Sequence, residues 1–226
     1  MATPSFDTLS NLRRRLAVRL GFGAQADALG IQAPILDDFL QSAQTYLCRI
    51  IRWRHLQRLH VEDLGVDQRV MDLPDDCLID GIHRVLVLDA GVWREVKAGL
   101  PAILSKRGED VGIPMRYEFM AHEELTGQLH FHPIPNHKVS IAIEYYANPS
   151  RFTSTTDRAS IPDDLIFLHA LANAKAHYRQ PDAQAASGQL DNALVKARIH
   201  SFGVDDSSGF GCEFNRLWEQ YGDDYV

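Results

Sequence analysis

The chain has 226 residues, of which 45% are hydrophobic and 23% charged, with 15 glycines and 10 prolines. This composition is that of a globular protein and excludes a collagen-like, low-complexity or wholly disordered chain. The net charge is −7, but eight arginines against four aspartates make the first 60 residues +4 and leave −11 for the remainder. An acidic chain with one basic end argues against a dedicated nucleic-acid-binding protein and allows attraction between copies of the chain.

No uncharged apolar run approaches the roughly 20 residues of a membrane helix, and the N-terminus lacks the basic and apolar regions of a signal peptide. The three cysteines, Cys48, Cys77 and Cys212, lie far apart and form neither a CxxC pair nor a disulfide framework. We therefore expect assembly in a reducing cytoplasm without a membrane.

The N-terminal segment, residues 1–69, is predicted to supply two packed helices. Leucines at helical spacing beside arginines predict the first helix, and Gly21 and Gly23 are expected to end it. These glycines loosely match a dinucleotide-binding fingerprint, but the leucine-rich helix before them favours a helix stop. A second helix is predicted from Pro34, with Asp37 and Asp38 in its first turn.

Residues 70–150 change to a period of two and are predicted to form an inserted antiparallel β domain. The run from Ile82 to Leu88 is compatible with a strand, and three further strands are expected around residues 115–119, 128–132 and 139–146. Short loops between the last three predict a meander with one buried face.

Residues 151–200 are predicted to return to helices, starting where Ser160 can cap and where Asp163 and Asp164 complement the helix dipole. The fold class is therefore α+β, with the N- and C-terminal helices in one bundle. Residues 201–226 are predicted to form an extended C-terminal arm, because their acidic and aromatic composition is typical of a docking segment. Its aromatic residues are the candidate anchors: Phe210, Phe214, Trp218, Tyr221 and Tyr225.

His130 and His132 are the most enzyme-like feature, because two histidines two apart on a strand point to one side, as a metal site requires. The expected further carboxylate is missing, since Asn136 and His137 stand at that spacing. We therefore favour the interpretation that both histidines lie on the solvent face, and expect no catalytic residue, metal or cofactor. A small metal-dependent enzyme or binding protein using these histidines is kept as an alternative.

A basic cluster at the end of the second helix is the other candidate surface, and it consists of Arg49, Arg52, Arg54 and Arg58 around Trp53. Arginines with an interleaved tryptophan could bind phosphate and stack on a base, which would make a nucleic-acid-binding module. The favoured interpretation is pairing with acidic residues of the same chain or of an adjacent copy.

The order of several short motifs resembles the head–tail connector (adaptor) proteins of tailed bacteriophages, particularly those of short-tailed phages. Each motif alone is weak, and the resemblance depends on their succession over about residues 9–198. The motifs are Met71–Asp76, Ile82–Leu88, Gly91–Trp93, Gly112–Tyr117, Leu129–Pro135, Ile143–Tyr146, Ile161–Ile166 and Ala170–Ala176.

The resemblance implies a structural virion protein without enzymatic activity. Family members form a ring, commonly of twelve copies, beneath the portal protein of the head. The ring continues the DNA channel without binding DNA specifically and offers a surface to tail or nozzle proteins. The implied location is the head–tail junction of the virion, with the host cytoplasm during assembly. In several relatives a C-terminal extension reaches the portal, and we expect residues 203–226 to do so here.

Overall fold

The computed structural model describes residues 6–23, 30, 32–100, 110–121 and 127–202. Within them the chain forms helices, then strands, then helices, which confirms the α+β class. None of the described helices is long and apolar enough to cross a membrane. The elements are α1 (Leu9–Arg19), α2 (Gln32–Ile50), β1 (Gln57–Leu64), β2 (Val70–Asp72), β3 (Cys77–Asp89), β4 (Val92–Ala98), β5 (Arg116–Ala121), β6 (Gly127–His132), β7 (Val139–Ala147), α3 (Asp163–His177) and α4 (Ala183–Phe202).

The chain divides into two compact units, which we name the helical unit (residues 1–53 and 150–226) and the sheet unit (residues 54–149). The sequence expectation of N-terminal helices through residue 69 is wrong for residues 57–64, which form β1. Its alternation was hard to recognise because Leu64 is its only fully buried residue. The described parts of both chain ends belong to the helical unit.

In the helical unit, α3 packs against α1, α2 and α4. The leucine stripes predicted in the first two helices are buried, for example Leu12 and Leu16 of α1 and Leu40 of α2. After α1 the backbone turns through Gly21 and Gly23, both with φ of +85°, a conformation that glycine adopts without strain. These glycines stop a helix, as expected, and follow no strand.

Two expected helix starts differ in detail. Helix α2 begins at Gln32, so Asp37 and Asp38 lie beyond its first turn, and Asp37 instead binds Arg13. The N-cap residue of α3 is Pro162, whose side chain makes no hydrogen bond to the first turn of the helix. Ser160 stands too far before that helix to cap it, and its hydroxyl accepts a hydrogen bond from the Ser150 N–H at 3.0 Å. The expected positions of Asp163 and Asp164 in the first turn of α3 are confirmed.

The sheet unit has one seven-stranded sheet in the order β1-β7-β3-β4-β5-β6-β2. Neighbours are antiparallel except β4 and β5, which pair in parallel over two residue pairs. The predicted meander is correct for β5 with β6 but wrong for β7, which lies between β1 and β3. Strand β7 therefore has a neighbour on each side, and its residues are buried on both faces.

One hydrophobic core serves the whole sheet. Leu64 of the edge strand β1 and Met71 of the opposite edge strand β2 belong to the same cluster as Phe131 of β6 and Ile141 of β7. Because residues from both edges meet in one cluster, the sheet curves around a single core.

Candidate interaction site

The best-defined charged cluster of the helical unit is centred on Arg15 of α1. Its Nη1 donates to Asp7 Oδ2 at 3.3 Å and to Asp163 Oδ2 at 3.1 Å, and its Nη2 donates to Asp164 Oδ1 at 3.0 Å. The guanidinium carbon also lies 4.6 Å from the centre of the Phe167 ring. These four residues, Arg15 with Asp7, Asp163 and Asp164, are the Arg15 network, and they join the chain before α1 to the start of α3.

The network changes the pKa values of Asp7 and Arg15. Burial alone would raise the pKa of Asp7, but hydrogen bonds from Asn11, from the Thr8 N–H and from Arg15 outweigh it and hold the pKa below its usual value. Burial would likewise lower the pKa of Arg15, and the three carboxylates raise it instead. Both charges are therefore favoured in the folded helical unit.

A second ion pair fixes α1 on α2. Arg13 donates from Nε and Nη2 to the two carboxylate oxygens of Asp37, each at 2.6 Å, and its side chain is only 14% exposed. Arg13 and Arg15 thus both form ion pairs with carboxylates of the helical unit. The polar contact of Arg14 is Asn11 Oδ1 at 3.5 Å, and Arg19 is exposed.

Beside these arginines lies an open cavity of about 490 Å³, which we name the α1 slot; it is lined by Arg14, Arg15, Val18, Arg19 and Phe167. Val18 is 51% exposed although it is apolar. The sequence predicts the basic face of α1, but it does not reveal the slot, because Phe167 comes from α3, about 150 residues later.

The predicted arginine cluster is divided between the two units, with Arg49 and Arg52 in one and Arg54 and Arg58 in the other. All four side chains are exposed. Arg58 donates to the carbonyls of His55 and Gln57, both at 3.0 Å, and the Trp53 indole N–H donates to the Leu47 carbonyl at 3.4 Å. Pairing of this cluster with an acidic partner stays a prediction.

His130 and His132 point to the same side of β6, as expected, but the expectation that both face solvent is wrong for His132. It is 5% exposed, because the segment from Asp110 to Met115 covers it, and its Nε2 lies 3.8 Å from Asp110 Oδ2. Burial and the nearby Arg69 lower the pKa of His130, against an opposing effect of Glu118.

In the described part of the chain, no three or more histidine, cysteine, aspartate or glutamate side chains gather as metal ligands would. Glu144 is buried and accepts from Arg84 Nε at 3.1 Å and Nη2 at 3.0 Å. Its carboxylate therefore serves an ion pair within the sheet rather than the two histidines.

Cys48 is the buried thiol that the sequence predicts, at 8% exposure. Burial raises its pKa to about 12, so the thiol stays protonated at neutral pH and is a poor nucleophile. The aromatic residues of the arm, Phe210 to Tyr225, lie outside the described residues.

The described surface of the helical unit thus includes an open, arginine-lined slot. A family model described as the SU10 adaptor protein matches residues 7–208. No curated protein gives a significant match. The chain belongs to the SU10 adaptor protein family, and is a head–tail adaptor of the short-tailed phage type, as its motifs predicted.

Membership defines a structural part of the virion, a bacteriophage head–tail connector. The family is one of structural phage adaptors. An adaptor role implies incorporation at the head–tail junction and association with portal and tail proteins.

Proposed function

We propose that the protein forms a ring, near twelve copies, beneath the portal of the phage head, joins the head to the tail and continues the DNA channel. The match to the adaptor family over residues 7–208 is the observation that carries this proposal. The helices of the two chain ends act in it as one bundle with the sheet unit inserted, and assembly takes place in the host cytoplasm.

The charge distribution supports a ring of identical copies. A closed ring needs two different, complementary surfaces on each copy. The first 60 residues are +4 and the remainder is −11, so a basic surface of one copy can meet an acidic surface of the next. The overall negative charge also suits a channel through which DNA passes without being held.

The arm is the proposed portal contact. Residues 203–226 carry six acidic residues and five aromatic ones, and aromatic side chains commonly dominate the energy of docking. Trp218 and Tyr221 are the proposed anchors, with Phe210, Phe214 and Tyr225 beside them.

The test is the native mass of the protein alone and after mixing with the portal ring of its own phage. We expect the portal to take up a fixed symmetric complement near twelve copies, and expect the full-length double variant Trp218→Ser, Tyr221→Ser to attach poorly. Far-UV circular dichroism of the variant checks that it folds. No uptake by the natural chain would overturn the ring proposal, and normal uptake by a folded variant would overturn the role of the arm.

Arg49, Arg52, Arg54 and Arg58 are proposed to contact a neighbouring copy rather than DNA. All four side chains are exposed and could reach either a neighbouring copy or DNA. Duplex DNA binding measured across salt concentrations separates the two, since phosphate contacts give binding that falls steeply as salt rises. We expect weak binding, and tight, salt-dependent binding lost on charge reversal of this cluster would favour the nucleic-acid alternative.

A further inference from the structure

The α1 slot combines an apolar floor with two cations that the folded chain leaves available. Val18 is half exposed on the floor, next to the ring of Phe167. The single positive charge of Arg15 is more than offset by the three carboxylates of the Arg15 network. Among the described residues no carboxylate pairs with Arg14 or Arg19, so these two arginines are the lining cations open to an anionic ligand.

This arrangement selects a particular ligand chemistry. An aromatic ring can lie on the apolar floor with guanidinium groups over its face, which is a favourable cation–π geometry. Carboxylates next to that ring can accept charge-assisted hydrogen bonds from Arg14 and Arg19. The slot therefore fits a peptide in which an aromatic residue stands beside an acidic one.

The chain carries that pattern three times beyond its last described residue, Phe202. The pairs are Glu213–Phe214, Trp218–Glu219 and Asp224–Tyr225, in a segment with six acidic residues and one arginine. We propose that the α1 slot of one copy holds residues 203–226 of a neighbouring copy, with an aromatic side chain on the floor and its acidic neighbour at Arg14 and Arg19.

The assignment to a neighbouring copy, rather than to the same chain, rests on the proposed ring. A contact in which one copy gives the segment and the next gives the slot is heterologous, and such contacts close rings. The segment is also the proposed portal contact, so the slot would hold it before the portal is met.

The experiment co-expresses two full-length forms. The first has a photoreactive benzoylphenylalanine in place of Trp218 and carries Arg14→Glu with Arg19→Glu. The second has no probe and has the natural slot. After irradiation, mass spectrometry identifies the labelled peptides, and the two slots are told apart by their own sequences.

We expect adducts on the natural slot of the probe-free copy. In a second sample the probe-free copy also carries Arg14→Glu and Arg19→Glu, and its slot should give about tenfold fewer adducts. The matched control is Lys97→Glu with Arg151→Glu in the probe-free copy, which makes the same charge change at exposed positions outside the slot, and it should leave the adducts unchanged. Absence of adducts on the natural slot, or equal labelling of natural and charge-reversed slots, would overturn the proposal.

A second measurement tests the neighbouring copy. Arg14→Glu with Arg19→Glu in every copy is expected to lower the number of copies per particle in native mass spectrometry, whereas the Lys97 and Arg151 control should not. An unchanged particle size would show that the slot does not join neighbouring copies and would overturn the inference. Portal uptake without slot adducts overturns this inference alone, whereas slot adducts without portal uptake overturn the ring proposal alone.

Discussion

Arg15 has three carboxylate partners from two distant parts of the chain, together with an aromatic ring beneath its guanidinium group. Arg14, the next residue, has an amide oxygen at 3.5 Å. Both arginines belong to the basic surface of α1 that the sequence predicts, yet one links two elements of the fold and the other has no carboxylate partner among the described residues. The difference comes from residues 163 and 164, which only the folded chain brings to this end of α1.

Replacing Arg15 therefore tests the network. Arg15→Met keeps an apolar stem over Phe167 but leaves Asp7, Asp163 and Asp164 without their shared cation, and we expect a loss of about 1–2 kcal/mol in the free energy of unfolding. Urea denaturation followed by circular dichroism measures it. Arg14→Met is the matched control, with an expected change within about 0.5 kcal/mol. Equal losses in the two variants would show that the network contributes nothing beyond an ordinary surface arginine.

The sequence correctly predicts which side chains are buried and where helices begin when the signal is local. The leucine stripe of α1, the buried Cys48 and the two acidic residues at the start of α3 are all where the sequence places them. Burial of His132 could not be predicted, because the segment that covers it, Asp110 to Met115, is brought there by pairing with residues of β6 and the loop after it. The position of a covering segment is a tertiary property without a local signal.

At the scale of elements, strands with strong apolar alternation were predictable and short or polar strands were not. Strands β5, β6 and β7 lie where the alternation of residue types predicts them, although β7 is buried on both faces, whereas β1, β2 and β4 were missed. Leu64, Met71 and Val96 are the only fully buried residues of those three strands, too few to show a period of two. The order of strands in the sheet was harder still to predict, because the sequence of β7 carries no signal that β1 and β3 are its neighbours.

Gly127, at the start of β6, is the glycine with the tightest surroundings among those described. A Cβ atom there would lie 2.5 Å from Phe119 Cε2 and 2.9 Å from Leu73 Cδ1, so Gly127→Ala must displace side chains that pack against the core. We expect a loss of about 1–3 kcal/mol in the free energy of unfolding of the sheet unit.

The matched control is Gly188→Ala in α4, where the new methyl group meets no atom within 4 Å apart from its chain neighbours and the backbone of its own helix. Alanine is favoured over glycine inside a helix, so this variant should be neutral or more stable by about 0.5–1 kcal/mol. Denaturant unfolding followed by circular dichroism compares the two variants. A neutral Gly127→Ala would mean that the strand start relaxes without cost.

At the scale of the whole molecule, the shifted pKa values predict loss of stability on acidification in two pH ranges. Burial lowers the pKa of His169 of α3, whose ring centre lies 4.9 Å from that of Tyr46 of α2. The unfolded chain therefore binds this proton first, and the contribution of the neutral imidazole is complete above pH 6.5 and is lost as the pH falls from 6.5 through the folded pKa. The pKa of His130 in the sheet unit is also lowered, so its neutral form contributes to stability over the same pH range.

The second range lies below pH 3.8. The pKa of Asp7 is lowered in the helical unit, and hydrogen bonds from Lys138 and Ser140 lower that of Asp63 in the sheet unit. Their contributions are present above pH 3.8 and are lost as the pH falls through the folded pKa values. Unfolding free energies measured from pH 8 to pH 3 should show both declines, and His169→Gln should remove the helical unit's share of the first. A stability independent of pH between 8 and 5 would contradict the assignment to histidine.

The helical unit is made from the two ends of the chain, and this sets the order in which the protein can fold during synthesis. Ribosomes add about 5–20 residues per second, so α1 and α2 leave the ribosome roughly 6–25 seconds before α3, against which both pack. The sheet unit is continuous from Arg54 to Pro149 and has all its strands well before then. The nascent chain therefore exposes the leucine faces of its first two helices while the sheet is already closing, and those faces are what a chaperone of the infected cell would meet.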